Sequence, residues 1–369
     1  MLAHITVDRA AIRANAAAVR ALIPPARLAA VIKANAYGHG LVEIGRVLAE
    51  DADRLCVYDL DEALALRSAS IRARIHVLGP IAAARLGEAV KNAIEITLWD
   101  DGAYLADLER AARTHGDPAI VHAKIDTGVT RLGMSVAAAP ALLARYEQSD
   151  GLTIAGVFSH LAAAEELDAA FTDTQLDLFT KATRGLGPDV DRHIAASAAA
   201  MLFARTRLSS IRAGIALYGL WPSAQTRTIM EERGLRLQPA LRWQTELVLV
   251  HDIEPGTSVG YGRTYRANSA SRIGVLPIGY AEGVPRAVSN RGFVLIGGVR
   301  CPIAGRVCMN MTMVDVSDVE NPHPGMPVTL VGTDGDAEIT LDDWGTWSNS
   351  INYEMAARLP SGIARTYVG

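Results

Sequence analysis

A lysine stands where a short apolar run gives way to a loop, and an amine in that position can carry covalent chemistry. Residues 30–32 are apolar, Lys33 follows them, and the segment ends with Gly38 and Gly40. Because burial makes a charged ammonium costly, it lowers the pKa of a lysine, and a neutral amine can form a Schiff base with an aldehyde. An isolated lysine at a strand end more often extends its amine into solvent, so this interpretation depends on the rest of the chain.

Other side chains with useful chemistry stand at or just beyond later apolar runs: Lys124, His160, Ser197 and Arg212. A serine hydroxyl and the backbone amides of Gly214 and Ile215 suit a phosphate dianion. Taken alone, Ser197 is equally well explained as a helix N-cap, and His160 as a hydrogen-bonded core histidine. Their shared position at the ends of apolar runs is therefore the informative feature.

A regular alternation of apolar runs and helix-like segments explains how these residues are brought together. The apolar runs, which predict strands, cover residues 29–33, 54–58, 74–78, 94–98, 119–125, 153–158, 192–196 and 209–213. The segments with helical spacing cover residues 8–23, 41–50, 60–69, 81–91, 101–114, 135–147 and 172–184. About eight strand–helix units predict an α/β fold with a TIM-like (β/α)8 barrel, whose active sites form at the C-terminal strand ends. A doubly wound sheet is the alternative, but no Gly-x-Gly-x-x-Gly follows an early strand.

The pattern changes after about residue 230, where β-rich stretches separated by glycine and proline replace helical spacing. These stretches predict strands over residues 247–253, 273–278, 292–296, 311–316, 327–331 and 338–340. We therefore expect two domains: a barrel over residues 1–233 and a C-terminal mainly-β domain over residues 234–369.

Composition excludes several classes of protein. The net charge is −4 and no basic run occurs, which argues against a nucleic-acid partner. The longest apolar runs are too short to span a bilayer, and no basic-then-apolar leader is seen, so a cytoplasmic protein without a membrane partner is expected. The three cysteines lack zinc-ligand spacing and do not form a disulfide framework, so we predict reduced thiols and no metal site.

Seven segments together resemble the alanine racemase family: 30–40, 124–133, 212–219, 260–265, 278–283, 305–310 and 352–354. They follow the family's order over residues from about 5 to about 360. The resemblance implies a racemase that interconverts L-alanine and D-alanine, supplying or recycling D-alanine for peptidoglycan. It also implies that residues 1–7 join the β domain.

The resemblance implies pyridoxal 5'-phosphate (PLP) as the cofactor, bound covalently to Lys33. It further assigns these residues to cofactor binding: Tyr37, His160, Ser197, Arg212, Gly214, Ile215 and Tyr353. Arg212 matches the arginine that faces the pyridine nitrogen, where many PLP enzymes place a carboxylate. Because arginine does not give up its proton, that nitrogen stays unprotonated, which favours racemisation over transamination or decarboxylation. His160 matches a histidine that supports this arginine.

Two further residues are assigned near the substrate by the same resemblance. Arg131 matches the arginine that contacts the cofactor phenolate and lies near the substrate carboxylate, and a planar guanidinium suits both. Lys124 matches a lysine that is carbamylated in many members and then holds this arginine, although an ordinary salt-bridged lysine is the simpler explanation. Val129 departs mildly from the methionine that the family usually has.

The C-terminal half supplies the second acid–base group. Tyr261 matches the family's catalytic tyrosine, opposite Lys33 across the substrate. Tyr280 matches a residue at the substrate entrance, and Met309 matches the position whose backbone amide binds the substrate carboxylate. Since these three residues face the other subunit's site in the family, a head-to-tail homodimer with shared active sites is expected. Out of context, a tyrosine between glycines is a turn residue and a methionine is core packing.

Several departures from the family pattern concern substrate range more than reaction type: Gly260, Glu282, Val284 and Asn310. A broad-specificity or serine racemase of the same fold therefore remains the alternative, because a pocket separates small side chains by only about 1–3 kcal/mol per methylene. Arg212 argues against a decarboxylase. A single-domain PLP-binding barrel protein would lack the β domain that carries Tyr261.

Overall fold

The computed structural model describes residues 2–99 and 102–369 and divides them into two compact units. The barrel unit contains Ala11–Ala36 and Leu41–Pro239, and the β unit contains residues 2–10, Tyr37–Gly40 and Ala240–Gly369. The predicted first domain starts at Met1, and the predicted helix over 101–114 starts at Asp101. Both residues lie outside the described residues.

Parallel strands form the barrel. The first strand of the chain, β1 (His4–Asp8), belongs to the β unit. The strands that follow are β2 (Arg27–Val31), β3 (Arg54–Val57), β4 (Ile75–Val77), β5 (Ile94–Leu98), β6 (Ala119–Asp126), β7 (Met134–Ser135), β8 (Leu152–Phe158), β9 (Asp191–His193) and β10 (Ser210–Ala213). Their order is β10-β2-β3-β4-β5-β6-β8-β9, with β7 paired to β6 outside this path. A parallel bridge between Ala196 and Arg212 brings the two ends of the sheet together and nearly closes the ring.

Helices alternate with these strands, and the predicted (β/α)8 barrel is confirmed over the doubly wound alternative. The helices are α1 (Arg9–Leu22), α2 (Leu41–Leu48), α3 (Leu60–Ser68), α4 (Leu86–Lys91), α5 (Ala103–His115), α6 (Ala139–Glu147), α7 (Ala170–Ala182), α8 (Ser197–Leu202) and α9 (Ala224–Glu232). In α1, the apolar positions Ile12, Ala16 and Val19 are buried, as their spacing along one helical face requires.

The β unit is built from short, mostly antiparallel strands. They are β11 (Leu241–Glu246), β12 (Leu249–Ile253), β13 (Ser258–Val259), β14 (Tyr265–Arg266), β15 (Ser271–Leu276), β16 (Phe293–Ile296), β17 (Val299–Pro302), β18 (Thr312–Asp315), β19 (Pro327–Asp334), β20 (Ala337–Ile339) and β21 (Ala364–Val368). Helices α10 (Leu341–Ser348) and α11 (Asn352–Ala357) precede the last strand. Strand β1 lies between β11, which is antiparallel to it, and β21, which is parallel.

The cysteines and the helices can be compared with the predictions made from composition. The three cysteines are free: Cys56 and Cys301 are buried and Cys308 is half-buried. Among the described helices, none combines the length and the apolar character needed to cross a bilayer.

Candidate active site

The predicted polar residues of the barrel unit gather at one mouth. Lys33 follows β2, Lys124 lies near the end of β6, His160 follows β8, and Arg212 lies in β10. Because the strands are parallel and the ring nearly closes, their C-terminal ends meet at the same mouth. The charges of Arg131 and Arg212 both lower the pKa of Lys33 and of Lys124. The Lys124 amine and the Arg212 guanidinium lie 5.0 Å and 5.3 Å from the centre of the same Phe158 ring.

A left-handed turn positions Lys33. The four residues after it, 34–37, all have φ between 51° and 54°, a conformation that costs L-residues roughly 1–2 kcal/mol each. The Glu62 carboxylate holds the turn: Oε1 accepts from the Asn35 amide at 3.0 Å, and Oε2 accepts from the Tyr58 amide at 2.9 Å. The Asn35 side chain in turn accepts from the Leu41 amide at 2.9 Å. These hydrogen bonds therefore fix the backbone that carries Lys33.

The surroundings of Lys33 favour its neutral amine. Burial lowers the pKa of Lys33, the charges of Arg131 and Arg212 lower it further, and the Glu62 carboxylate opposes them. The amine nitrogen lies 5.9 Å from the centre of the Tyr58 ring. A larger neutral fraction is what covalent chemistry at this amine requires.

The loop that carries Arg131 is organised by one carboxylate. Asp126 Oδ1 accepts from the amides of Gly128 and Val129, both at 2.9 Å, and of Thr130 at 3.2 Å. Asp126 Oδ2 accepts from the Arg131 amide at 3.1 Å. Although partial burial raises the pKa of Asp126, these backbone hydrogen bonds outweigh it, and the pKa is lowered. The carboxylate is thus used to shape the loop, and the exposed Arg131 side chain projects from it.

Lys124 is buried, and the charges of Arg131 and Arg212 act on its amine. Burial lowers the pKa of Lys124 to about 8, with the charges of Arg212 and Arg131 as the next causes. Its amine lies 5.0 Å from the centre of the Phe158 ring. At pH 7 about a tenth of this amine is therefore neutral and nucleophilic, far more than for an ordinary lysine.

Arg212 is buried, and both of its Nη groups are hydrogen-bonded. Nη1 donates to His193 Nδ1 at 2.8 Å and to the His193 carbonyl at 3.0 Å. Nη2 donates to the Ser159 carbonyl at 2.7 Å, to His160 Nδ1 at 3.2 Å and to the Ile194 carbonyl at 3.2 Å. Burial lowers the pKa of Arg212 to about 10, so the group is still a cation at neutral pH. Within the described residues no carboxylate hydrogen-bonds to it.

The contact between His160 and Arg212 has the form that the sequence resemblance implies, but the contact with His193 was not predicted. Burial, and then the charge of Arg212, lower the pKa of His160 to about 3. A neutral His160 can accept the hydrogen bond that Arg212 Nη2 donates. The sequence did hold a sign of this contact, because His193 is a polar residue within the apolar run 192–196. That run lies next to the strand of Arg212 in the barrel.

Ser197 and Gly214 lie side by side at the ends of neighbouring strands. Ser197 begins α8, and its Oγ accepts from the Gly214 amide at 3.1 Å. Ile215 opens a short 3-10 helix immediately afterwards. A hydroxyl and nearby amides at this position are suited to an anionic ligand.

The predicted residues of the β unit form two separate groups. The rings of Tyr37 and Tyr353 lie 6.4 Å apart, and burial raises the pKa of Tyr37 to about 12. Tyr261, Tyr280 and Met309 are instead exposed, to 71%, 43% and 57% respectively. An exposed fraction this large leaves these side chains available to a partner.

Two of the departures from the family pattern contact each other. The buried Glu282 carboxylate accepts from the Asn310 side-chain amide at 2.7 Å and from the Gly279 amide at 2.8 Å. An aspartate at position 310 would place a second carboxylate against the first. The two departures therefore form a matched pair that joins the segments of Tyr280 and Met309.

The barrel mouth fits an anionic aldehyde cofactor such as PLP. It brings together an amine of lowered pKa, a cationic arginine in contact with neutral imidazoles, and a hydroxyl beside backbone amides. Four basic side chains gather there, of which Lys33 and Lys124 have lowered pKa values, whereas Glu62 and Asp126 are committed to backbone amides. This excess of positive charge suits a phosphate, a phenolate and a carboxylate.

Comparisons with known proteins agree with the geometry. Residues 7–222 match the family model "Alanine racemase, N-terminal domain", and residues 240–367 match "Alanine racemase, C-terminal domain". An alanine racemase of Listeria monocytogenes is 38% identical over 99% of this chain and 97% of its own length. The solved alanine racemase of Streptomyces lavendulae is similar with a TM-score of 0.92 and 33% identity, over 100% of this chain and 97% of that one. That of Bacillus anthracis with bound L-Ala-P has a TM-score of 0.91 and 31% identity, over 100% and 95%.

Proposed function

The chain belongs to the alanine racemase family, and on that basis we propose that it interconverts L-alanine and D-alanine by a two-base mechanism. Lys33 and Tyr261 are the proposed bases, on opposite faces of the substrate α-carbon. The observation that carries the proposal is the barrel mouth, where an amine of lowered pKa lies in the field of a buried, charged Arg212. PLP, held covalently on Lys33, would supply the electron-withdrawing ring that acidifies the α-carbon proton.

The roles of the two bases follow from their positions. With its amine freed by substrate, Lys33 takes the α-proton of D-alanine, and the Tyr261 hydroxyl returns a proton on the other face. L-alanine reacts in the reverse order. Proton transfer by positioned side chains contributes roughly 100- to 10,000-fold in rate, so both groups are needed for efficient racemisation.

Arg212 determines which reaction follows proton removal. Its guanidinium only donates hydrogen bonds, so it would keep the cofactor's ring nitrogen as an acceptor without a proton. With PLP bound, the ring would then take up less negative charge, and proton return at the α-carbon would be favoured over transamination. His160 supports this role by accepting from Nη2.

The remaining assignments concern binding. We propose that Ser197 and the Gly214 and Ile215 amides, with Tyr37 and Tyr353, bind the cofactor phosphate. Arg131 and the Met309 amide would bind the substrate carboxylate. A carbamylated Lys124 would hold Arg131, which agrees with the lowered pKa of the Lys124 amine.

A homodimer with shared sites completes the proposal. Tyr261, Tyr280 and Met309 are exposed in the single chain, and a general acid works best in a site from which water is excluded. We therefore propose that these residues enter the active site of a second copy. Sedimentation equilibrium should give twice the chain mass of 39.3 kDa, and racemisation should fall when dilution dissociates the pair.

A broad-specificity or serine racemase is the second candidate, favoured by one observation. The Glu282–Asn310 pair replaces side chains that the family has near the entrance, and it joins the segments of Tyr280 and Met309. Comparing kcat/KM for alanine and serine separates the two functions. The cellular role that we propose is the supply or recycling of D-alanine for peptidoglycan.

The experiment that tests the proposal measures absorption and racemisation together. The purified protein should show a visible band that borohydride removes, with the reduced label recovered on Lys33. In deuterated water, Tyr261→Phe should lower racemisation by at least about 100-fold, yet still exchange the α-proton of D-alanine through Lys33. Tyr265→Phe is the matched control, because its hydroxyl bonds to Asp315 at 2.8 Å, outside the proposed chemistry. A Tyr261→Phe variant that racemises alanine normally would contradict the two-base mechanism.

A further inference from the structure

A line of buried polar side chains leads from Arg212 into the barrel. Arg212 Nη1 contacts His193 Nδ1 at 2.8 Å, and His193 Nε2 contacts His122 Nδ1 at 2.9 Å. His122 Nε2 then contacts Glu95 Oε2, also at 2.9 Å. All four side chains are buried, the two imidazoles completely. We call these four residues the barrel chain.

The far end of the barrel chain is anchored by charge. Glu95 pairs with Arg54 through Oε2 and with Arg74 through Oε1, and Arg54 also pairs with Asp191 at 2.7 Å. Arg54 begins β3 and Arg74 immediately precedes β4, so these pairs lie at the N-terminal ends of the strands. The barrel chain therefore runs from a cation at the active-site end to an anion at the other end.

Hydrogen-bond chemistry gives the barrel chain one direction. Arginine has donors only, so His193 Nδ1 must accept, and the proton of that ring stands on Nε2. His193 Nε2–H donates to His122 Nδ1, so the proton of the second ring also stands on Nε2 and is donated to Glu95. Any other arrangement places two donors face to face. Burial lowers the pKa of both histidines, which agrees with neutral rings.

We propose that Glu95 is a positioning residue for Arg212, acting through His122 and His193. The carboxylate fixes the proton positions of both imidazoles and so keeps an acceptor in front of Nη1. The guanidinium is thereby held in one orientation toward the group that binds at the barrel mouth. The consequence for catalysis rests on the proposed function, whereas the direction of the barrel chain does not.

A metal site is the competing explanation for these histidines. His76, His122 and His193 offer ring nitrogens within 4.8 Å of one another. The His122–His193 nitrogen distance of 2.9 Å is that of a hydrogen bond, because two ligands of a tetrahedral zinc at 2.0–2.1 Å would lie about 3.3 Å apart. His76 instead contacts Thr97 Oγ1 at 3.0 Å and stacks on His122 at 4.2 Å. His76 therefore packs against the barrel chain but has no hydrogen bond to it among the described residues.

The first test reads the proton positions directly. In the apoprotein labelled with nitrogen-15 histidine, the coupling pattern of each ring shows which nitrogen carries the proton. We expect neutral rings with the proton on Nε2 for both His122 and His193, unchanged between about pH 6 and 9. A proton on His193 Nδ1, a charged ring, or a shift on adding zinc would overturn the proposal. This test is valid whether or not the protein racemises alanine.

The second test separates direction from packing. His122→Asn keeps an acceptor near the position of Nδ1, His122→Leu removes it, and His76→Leu perturbs the same layer as a control. We expect His122→Leu to lower kcat by about 10-fold, because a small misplacement of Arg212 is costly at the reacting site, and to raise the pyruvate formed per racemisation. His122→Asn keeps an acceptor for His193 but loses the contact with Glu95, so it should also raise the pyruvate ratio, whereas His76→Leu should keep it low. A low ratio in His122→Asn would overturn the role of Glu95. Equal effects of His122→Leu and His76→Leu would mean packing alone and overturn the proposal. A wild-type protein inactive on alanine would instead refute the proposed function.

Discussion

Replacing Glu95 with glutamine should destabilise the barrel by several kcal/mol. Burial alone would raise the pKa of Glu95, but the hydrogen bond from His122 and the charges of Arg54 and Arg74 outweigh it and lower the pKa from 4.5 to about 2. At 1.36 kcal/mol per pH unit, this difference corresponds to roughly 3 kcal/mol. The general cost of breaking a buried ion pair by removing one partner, about 3–5 kcal/mol, is of the same size.

The sign of the pH dependence follows from the direction of the shift. The pKa of Glu95 is lower in the folded chain than in the unfolded chain, so its stabilisation is complete above about pH 4.5 and is lost as the pH falls through about 2. The difference in stability between the wild-type protein and Glu95→Gln should therefore be largest near pH 7 and shrink toward pH 2.

Native-state hydrogen exchange is the suitable assay, because it reports local opening of the barrel in a chain with two units. About 3 kcal/mol corresponds to amide exchange in β6 that is faster by roughly 100-fold. Glu147→Gln, at an exposed position of the same unit, is the control and should leave exchange unchanged. Equal protection of β6 in Glu95→Gln and wild type at pH 7, or a difference that does not change with pH, would refute the reasoning.

Three other changes test the mouth of the barrel. Gly133→Ala places a Cβ 2.6 Å from the Asp126 amide nitrogen at a φ of +144°, so racemisation should fall by at least about 10-fold, whereas Gly187→Ala, with nothing within 4 Å, should be silent. Glu62→Gln keeps one acceptor but loses the charge that holds the left-handed turn, so cofactor incorporation, followed by absorbance, should be slower and weaker; unchanged incorporation would contradict this. Because the pKa of Lys124 is lowered to about 8, labelled bicarbonate should give a carbamate carbon-13 signal that grows as pH rises through 8; its persistence in Lys124→Ala would contradict the assignment.

Much of the fold could be predicted because a parallel barrel has a simple pattern. Its strands are buried on both faces, so they read as continuous apolar runs, and the run over 94–98 is β5 as observed. Polar residues that follow such runs must lie at the same mouth, which is why the positions of Lys33 and Arg212 could be predicted from the pattern. Their roles were implied by the resemblance to the alanine racemase family. Local rules of this kind need no knowledge of distant contacts.

The barrel chain could not be predicted in the same way. Glu95 and His122 interrupt apolar runs, which is a signal for a buried polar contact, but their partners come from other strands and meet only when the ring forms. The turn after Lys33 is a second example. Ala34 and Ala36 have no local reason to adopt a left-handed conformation, and the carboxylate that holds the turn is supplied by α3.

The place of β1 in its sheet has a consequence for biosynthesis. Both hydrogen-bonding edges of β1 are filled by strands from the C-terminal half of the chain, β11 and β21. During translation β1 leaves the ribosome long before β11 and β21 and stays unpaired until these strands have been made. The barrel can close while synthesis continues, so the β unit matures after the barrel. A nascent chain that stalls before β21 would expose one edge of β1 to chaperones and to aggregation.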